Sequence, residues 1–268
     1  MPELPEVQTV LDTLSLQIQD LVITGVTVNY PGMIQGDVDE FKKTLTGNAF
    51  RRFERRGKYL IFRMDTCTLV SHLRMEGRFY LQAEGEPVNK HMHVIFDLSD
   101  GRQMRYMDTR KFGTMELFEA DHCFDDFHDL GPEPFDERFS ADYIHTYRKG
   151  RTLPLKSLLL DQRFVAGIGN IYADEILFAC GLRPGRSCSR ITRKDEQHLV
   201  QETGRILSEA IEAGGTTIRS YVSSLGVTGR FQLSCMVHTK KTCQICGSQI
   251  RVKTIGGRSS YYCPHCQK

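Results

Sequence analysis

The chain opens Met1-Pro2-Glu3-Leu4-Pro5-Glu6, and if an aminopeptidase removes Met1 its first group becomes a secondary amine. An α-amino nitrogen is one of the few in a protein that titrates near neutrality, at about 7.7 to 8.0. A helix N-terminus close by disfavours its protonation further. Neutral, such an amine attacks an electrophilic carbon and collapses to an iminium, with Glu3 beside it to give or take a proton. Taken alone, the same residues read better as a chain start and a helix opener. A second set is more specific: Cys243-Gln244-Ile245-Cys246 and Cys263-Pro264-His265-Cys266 hold two thiolate pairs at the spacing that grips one tetrahedral Zn²⁺. All four ligand positions are filled, so the zinc is expected to be structural, with His265 a bystander. Cys67, Cys123, Cys180, Cys188 and Cys235 lack such pairing and read as small buried hydrophobes. In Gly167-Ile168-Gly169-Asn170 two glycines let backbone N–H groups turn outward, and Asn170 can cap a following helix. That pattern suits a phosphate at a helix N-terminus, and equally an ordinary turn between helices.

These groups need elements to hold them. Val7, Val10, Leu11, Leu14 and Ile18 recur at helical steps, with Pro5 suited to the first turn and Glu6 to the positive end of the dipole. Val22 to Tyr30 reads as a strand, Pro31-Gly32 as a turn and Asp39 to Leu45 as a short helix. A basic run, Arg51 to Tyr59, passes into Leu60, Ile61 and Phe62. Short strands are then expected at Thr68 to Leu73, Arg78 to Leu81, Val94 to Leu98, Gln103 to Met107 and Thr114 to Phe118, with a hairpin at Ser99-Asp100-Gly101. One helix with many short antiparallel strands implies a β-sandwich or flattened barrel. Gly131-Pro132-Glu133-Pro134 marks a hinge, after which the period becomes helical: one helix over Ile171 to Leu177, another opened by Thr192 and Asp195 and closed by Gly214-Gly215. Gly256-Gly257 turns a hairpin between the cysteine pairs, with Arg258 near its tip.

At 268 residues the chain suits two domains and a small appendage. No apolar run reaches membrane-spanning length and no leader pattern precedes a cleavage site, so a soluble cytosolic protein is expected, its cysteines serving metal or standing as free thiols. The net charge of +2 hides an asymmetry: after Glu212 there is no Asp or Glu, while eight Lys and Arg remain. A weakly acidic body with a cationic end suggests a polyanionic partner.

Five motifs in collinear order together resemble the bacterial formamidopyrimidine-DNA glycosylase family. They are Pro2-Glu3-Leu4-Pro5-Glu6-Val7, Ser71-His72-Leu73-Arg74-Met75-Glu76-Gly77, Asp108-Thr109-Arg110-Lys111-Phe112-Gly113, Gly167-Ile168-Gly169-Asn170-Ile171-Tyr172 and the four-cysteine finger. The resemblance implies an α+β fold: an N-terminal catalytic β-sandwich with flanking helices over 1–130, a hinge over 131–150, a helix-two-turn-helix DNA-binding domain over 151–230 and a zinc finger over 231–268. It implies a monomeric base excision repair enzyme, cytoplasmic and nucleoid-associated. Such an enzyme removes 8-oxoguanine and formamidopyrimidines from double-stranded DNA and nicks the strand by β,δ-elimination. On that likeness Pro2 is the Schiff-base nucleophile, Glu3 the proton donor in sugar ring opening, Lys58 the donor for β-elimination and Arg258 its counterpart for δ-elimination. Base flipping leaves a hole in the duplex. Met75, Arg110 and Phe112 match the residues that fill it, and His91, Arg151, Lys156 and Asn170 match phosphate contacts. Arg219 to Gly229 matches a mobile loop over the flipped base.

The chain departs from the family pattern at Gln8, where Glu is usual, at Thr109, where Pro is usual, and at Lys111, where Arg is usual. Loss of the carboxylate at position 8 is expected to loosen the N-terminal turn, and Lys111 lacks the bidentate reach of Arg. Two other readings stand beside this one: a non-catalytic zinc-containing DNA-binding protein, and an endonuclease VIII-like glycosylase for oxidised pyrimidines, against which Met75, Arg110 and Phe112 weigh.

Overall fold

A computed structural model describes residues 1–125, 127–216 and 229–268; residues 219–228 of the expected mobile loop lie outside the described residues. The chain divides into two compact units, one of residues 1–124 with 214–229, the other of 125–213 with 230–268.

The first unit begins with helix α1 (Leu4–Ile18), whose apolar positions Val7, Val10, Leu11, Leu14 and Ile18 are all buried. Strands β1 (Ile23–Val28) and β2 (Ile34–Gln35) are followed by α2 (Val38–Leu45), capped by the Asp37 side chain on the Glu40 N–H. Then come β3 (Phe50–Arg56), β4 (Tyr59–Met64), β5 (Cys67–His72), β6 (Arg78–Ala83), β7 (Met92–Leu98), β8 (Arg102–Met107) and β9 (Thr114–Glu119). They form two sheets, of order β1-β7-β8-β6 and β2-β9-β5-β4-β3. One apolar cluster takes Phe96, Met104 and Tyr106 from the first sheet, Leu60, Phe62 and Leu69 from the second, and the inner face of α1. This is the expected sandwich. Its pairs are antiparallel except β2 with β9. The basic run falls on β3, and much of its charge is held by the fold: Arg51 bridges Asp20 and Asp65, Arg55 reaches Gln8, and Arg56 donates to the Phe124 carbonyl.

The second unit holds α3 (Ala141–Arg148), α4 (Leu155–Leu160), α5 (Asn170–Ala179), α6 (Arg193–Glu212) and α7 (Phe231–Ser234), then β10 (Arg251–Ile255) and β11 (Arg258–Tyr262). Helix α6 opens on the expected Thr192–Asp195 capping box. Helix α3 lies within the segment expected as a hinge and is fastened to α6 by Arg148, 2.5 Å from the buried Glu196 carboxylate. The other end of the chain is fastened to α5: buried Glu175 accepts the N–H groups of Met236, Val237 and His238 at 2.7 to 3.1 Å. Burial pushes the Glu175 carboxyl up, and those three donors oppose the shift.

Three expectations need correction. Cys123 is exposed, because it falls in irregular chain beyond β9, and Cys180 is only partly buried, at the end of α5. Asn170 is the first helical residue of α5; its N-cap is Gly169. Position 8 keeps its tether, because the Gln8 carbonyl oxygen still accepts from Arg55 at 2.9 Å.

Candidate active site

The start of α1 is capped by acidic side chains of its own. Glu3 is the N-cap in extended backbone and Glu6 the third helical residue, and the two form a reciprocal capping box. The Glu3 N–H donates to Glu6 Oε2 at 2.8 Å, while Glu6 Oε1 accepts both the N–H and the hydroxyl of Thr216 at 2.8 and 3.0 Å. Gly215, at φ +75°, is required there: a Cβ on it would stand 2.8 Å from Glu6 Oε1. Glu6 is fully buried and Glu3 nearly so, and Pro2 is buried beside a partly covered Met1. Lys58 follows Gly57, at φ +55°, in the turn between β3 and β4, and is itself buried. Arg55 brackets that turn to the helix, donating to Gln8 Oε1 and to the Gly57 carbonyl, both at 2.9 Å. The first unit therefore carries Pro2 and Glu3 on one element and Lys58 on the turn tied to it.

Two loops of the same unit hold Met75, Arg110 and Phe112. The loop after β8 is shaped by one buried carboxylate: Asp108 accepts the N–H groups of Arg110, Phe112 and Gly113 at 2.8 to 2.9 Å. Folding the backbone around that acceptor turns Lys111 to φ +57° and pushes both flanking side chains outward. Phe112 is 52% exposed, a large apolar ring held in solvent, with the Arg110 guanidinium 4.8 Å from its centroid. Lys111 lies over the Tyr30 ring at 4.5 Å. The loop carrying Met75 follows His72, whose Nδ1 accepts the Arg74 N–H at 2.9 Å. Gly77 and Gly113 let the two loops close on the buried Tyr106 hydroxyl; a Cβ on either would stand within about 2 Å of it. Thr109 donates to Glu76, which ties one loop to the other. His91 is partly buried, its carbonyl accepting the Asp108 N–H at 3.0 Å.

In the second unit α5 starts on a glycine N-cap, and the Asn170 Oδ1, though buried, has no hydrogen-bond partner among the described residues. Its Nδ2 donates to the Ser259 carbonyl of β11 at 3.1 Å. Lys156 departs from a surface phosphate contact: it is fully buried, its Nζ 2.5 Å from Asp174 Oδ1 and 3.2 Å from the Asn170 carbonyl. Asp174 also faces His238 Nδ1 at 2.8 Å. Arg151 is exposed and lies over the Tyr147 ring at 4.5 Å. Arg258 is exposed at the first position of β11, after Gly256 and Gly257 at φ +55° and +75°.

The sulfurs of Cys243, Cys246, Cys263 and Cys266 all lie within 4.8 Å of one another, with cross pairs at 3.8 and 3.4 Å. Tetrahedral zinc with Zn–S bonds of about 2.3 Å needs sulfurs about 3.8 Å apart. The four cysteines therefore fit one structural zinc, and His265 stands outside the cluster. Asp108, Glu175 and Asp174 organise these sites without having been assigned roles from sequence. A carboxylate two residues before a run of free N–H groups was the readable sign for Asp108.

The formamidopyrimidine-DNA glycosylase N-terminal domain family matches residues 1–115, the formamidopyrimidine-DNA glycosylase H2TH domain 130–222 and the zinc finger found in FPG and IleRS 240–268. The formamidopyrimidine-DNA glycosylase of Bacillus licheniformis is 44% identical over 274 residues, covering 100% of both chains. The chain belongs to the formamidopyrimidine-DNA glycosylase family. The family's Bacillus subtilis enzyme is 42% identical, over 100% of this chain and 99% of its own. Among solved structures, Lactococcus lactis Fpg with DNA containing an abasic site superimposes at TM-score 0.94, with 38% identity over 99% of each chain. The same enzyme with DNA containing N7-benzyl-Fapy-dG gives 0.93, with 37% identity over 100% of each. Among the described residues no helix is long and apolar enough to cross a membrane.

Proposed function

We propose that this member of the family is a DNA glycosylase and AP lyase of base excision repair, acting on oxidised purines in double-stranded DNA through Pro2. With Met1 removed, the Pro2 nitrogen attacks C1′ of the damaged nucleotide, the glycosidic bond breaks, and the sugar opens to an iminium as Glu3 protonates its ring oxygen. The iminium acidifies the neighbouring carbon, and cations beside the departing phosphates ease β- and δ-elimination; Lys58 and Arg258 take those roles. The observation that carries this reading is the start of α1, where Glu6 takes up the donors of Glu3 and Thr216 and holds Pro2 and Glu3 in a fixed seat. Phe112, rigid and half in solvent, suits a wedge in the base stack, with Arg110 and Met75 filling the vacated space. The glycine-led start of α5 with the unpartnered Asn170 oxygen suits a backbone phosphate, and exposed Arg151 and, in the first unit, His91 suit others; Lys156, paired with Asp174, braces the Asn170 carbonyl from inside. Zinc on the four cysteines supplies the finger with its fold. The division at 130, 150 and 230, and a place in the cytoplasm on the nucleoid, belong to the same proposal, as does a monomeric state.

Lactococcus lactis Fpg is also known with DNA containing an oxidised pyrimidine, which makes thymine glycol the comparison substrate. Single-turnover excision should be faster on 8-oxoguanine opposite cytosine than on thymine glycol. The reverse order would move the chain to the endonuclease VIII-like reading.

A further inference from the structure

A cavity of ≈ 450 Å³ in the second unit is lined by none of the residues assigned to catalysis, the wedge, phosphate contact or zinc. Its walls carry five cations, Arg183, Arg186, Arg190, Lys253 and Lys268, together with Tyr262. Pro184 and Ile255 make its apolar floor, where a Cβ on Gly185 would stand 3.6 Å from Ile255 Cδ1. Two of the cations are anchored by the fold. Arg183 donates to the carbonyls of Gln267 and Pro264 at 2.9 Å, and Arg186 to that of Arg190 at 2.7 Å. Carbonyls orient a guanidinium without cancelling its charge. Asp195, 3.8 Å from Arg186, is the carboxylate side chain paired with this group among the described residues. The Lys268 main-chain oxygen also accepts the Arg183 N–H at 3.0 Å, and the side-chain cations left in excess repel one another unless an anion joins them.

We propose that this cavity is a second DNA subsite, which takes backbone phosphates of the strand outside the lesion, with a sugar or base edge resting against Tyr262 and Ile255. The proposal rests on the DNA-binding reading above. A nucleic acid strand is the occupant because it combines repeating negative charge with flat apolar faces, the two features the walls and floor match. Continuity points the same way. Lys253 and Ile255 lie on β10, the strand that leads into the turn carrying Arg258, and Tyr262 lies on β11. Phosphate contacts position a protein without reading sequence, so this subsite adds affinity and register, not lesion choice.

Arg190 and Lys253 are both exposed, and R190Q/K253Q removes two of the five charges with little demand on folding. Binding of a lesion-bearing duplex and of the matching undamaged duplex is measured across a salt series for the parent, for R190Q/K253Q and for a K43Q control on α2. Each lost phosphate contact lowers the slope of log affinity against log salt by about 0.9, so the double variant should lose about 1.8 and bind at least about tenfold more weakly at low salt. The loss should be equal on both duplexes, and K43Q should match the parent. A slope unchanged in R190Q/K253Q overturns the subsite, even if the cavity then captures an acidic protein. A loss confined to the damaged duplex also overturns it. If instead the parent itself shows no salt-dependent DNA binding, the functional reading fails and not this inference alone.

Discussion

Helices α1 and α5 both begin at residues proposed to meet DNA, and their N-caps are of different kinds, a glutamate at one and a glycine at the other. The start of α1 is closed: Glu3 and Glu6 cap each other and Glu6 takes two further donors from Thr216. At α5 the N-cap is a glycine, which has no side chain to cap with, and Asn170 leaves an oxygen without a partner among the described residues. A helix N-terminus is an anion site unless the protein supplies the anion. One helix supplies it from its own first turn and so fixes a reacting group; the other begins on a glycine and presents the Asn170 oxygen without a partner among the described residues.

The largest disruption should come from the finger, because Ser259 on β11 holds the Asn170 amide and the finger's own apolar core is small. Structural zinc is worth about 10 to 16 kcal/mol in isolated fingers. Cys246→Ser should therefore lose zinc by metal analysis and bind damaged duplex at least about tenfold more weakly, since the start of α5 loses its partner strand. Unimpaired binding by zinc-free protein would separate the finger from α5. Glu6→Ala should come next, leaving two buried backbone N–H groups unpaired at about 1 to 3 kcal/mol each. Chemical denaturation should show that loss, and the rate at which the amine traps substrate should fall with it; a stable variant with a normal rate would mean that α1 needs no closure.

Asn170→Ala should act almost wholly on binding. It removes one hydrogen bond to Ser259, worth about 1 kcal/mol, and should weaken DNA affinity several-fold while hardly moving the unfolding midpoint. If stability falls and affinity does not, the Asn170 side chain is structural. Gln8→Glu should do least. A carboxylate would strengthen the contact with Arg55 but replace the 2.8 Å bond to Asp12 with like charges, so the two changes should cancel to within about 0.5 kcal/mol by denaturation.

Most of this contrast could be read in the chain wherever the determinant was local. The period of α1, the Thr192–Asp195 box, the hairpin at Gly101 and the cysteine pairs each depend on neighbours within a few residues, and the structure has them where the spacing puts them. Determinants from distant chain were illegible. Helix α4 has six residues, too few to show a period, and the two-residue β2 exists only through its pairing with β9. Glu6 looked like a dipole partner, whereas its chief work is with Thr216, 210 residues away. Lys156 carries the charge expected at a phosphate site, but Asp174 on a different helix draws its ammonium inside. Resemblance supplied residue identities at the site; only packing decides which of those side chains point outward.

The central claim is that an amine at the start of α1 forms the covalent link to damaged DNA. Borohydride trapping on an 8-oxoguanine duplex, with protein whose N-terminus mass spectrometry shows to be Pro2, tests it most directly. The account predicts an adduct mapped to the Pro2 nitrogen, absent from Pro2→Gly and from protein retaining Met1. An adduct on Lys58, or equal trapping with Met1 in place, would contradict it.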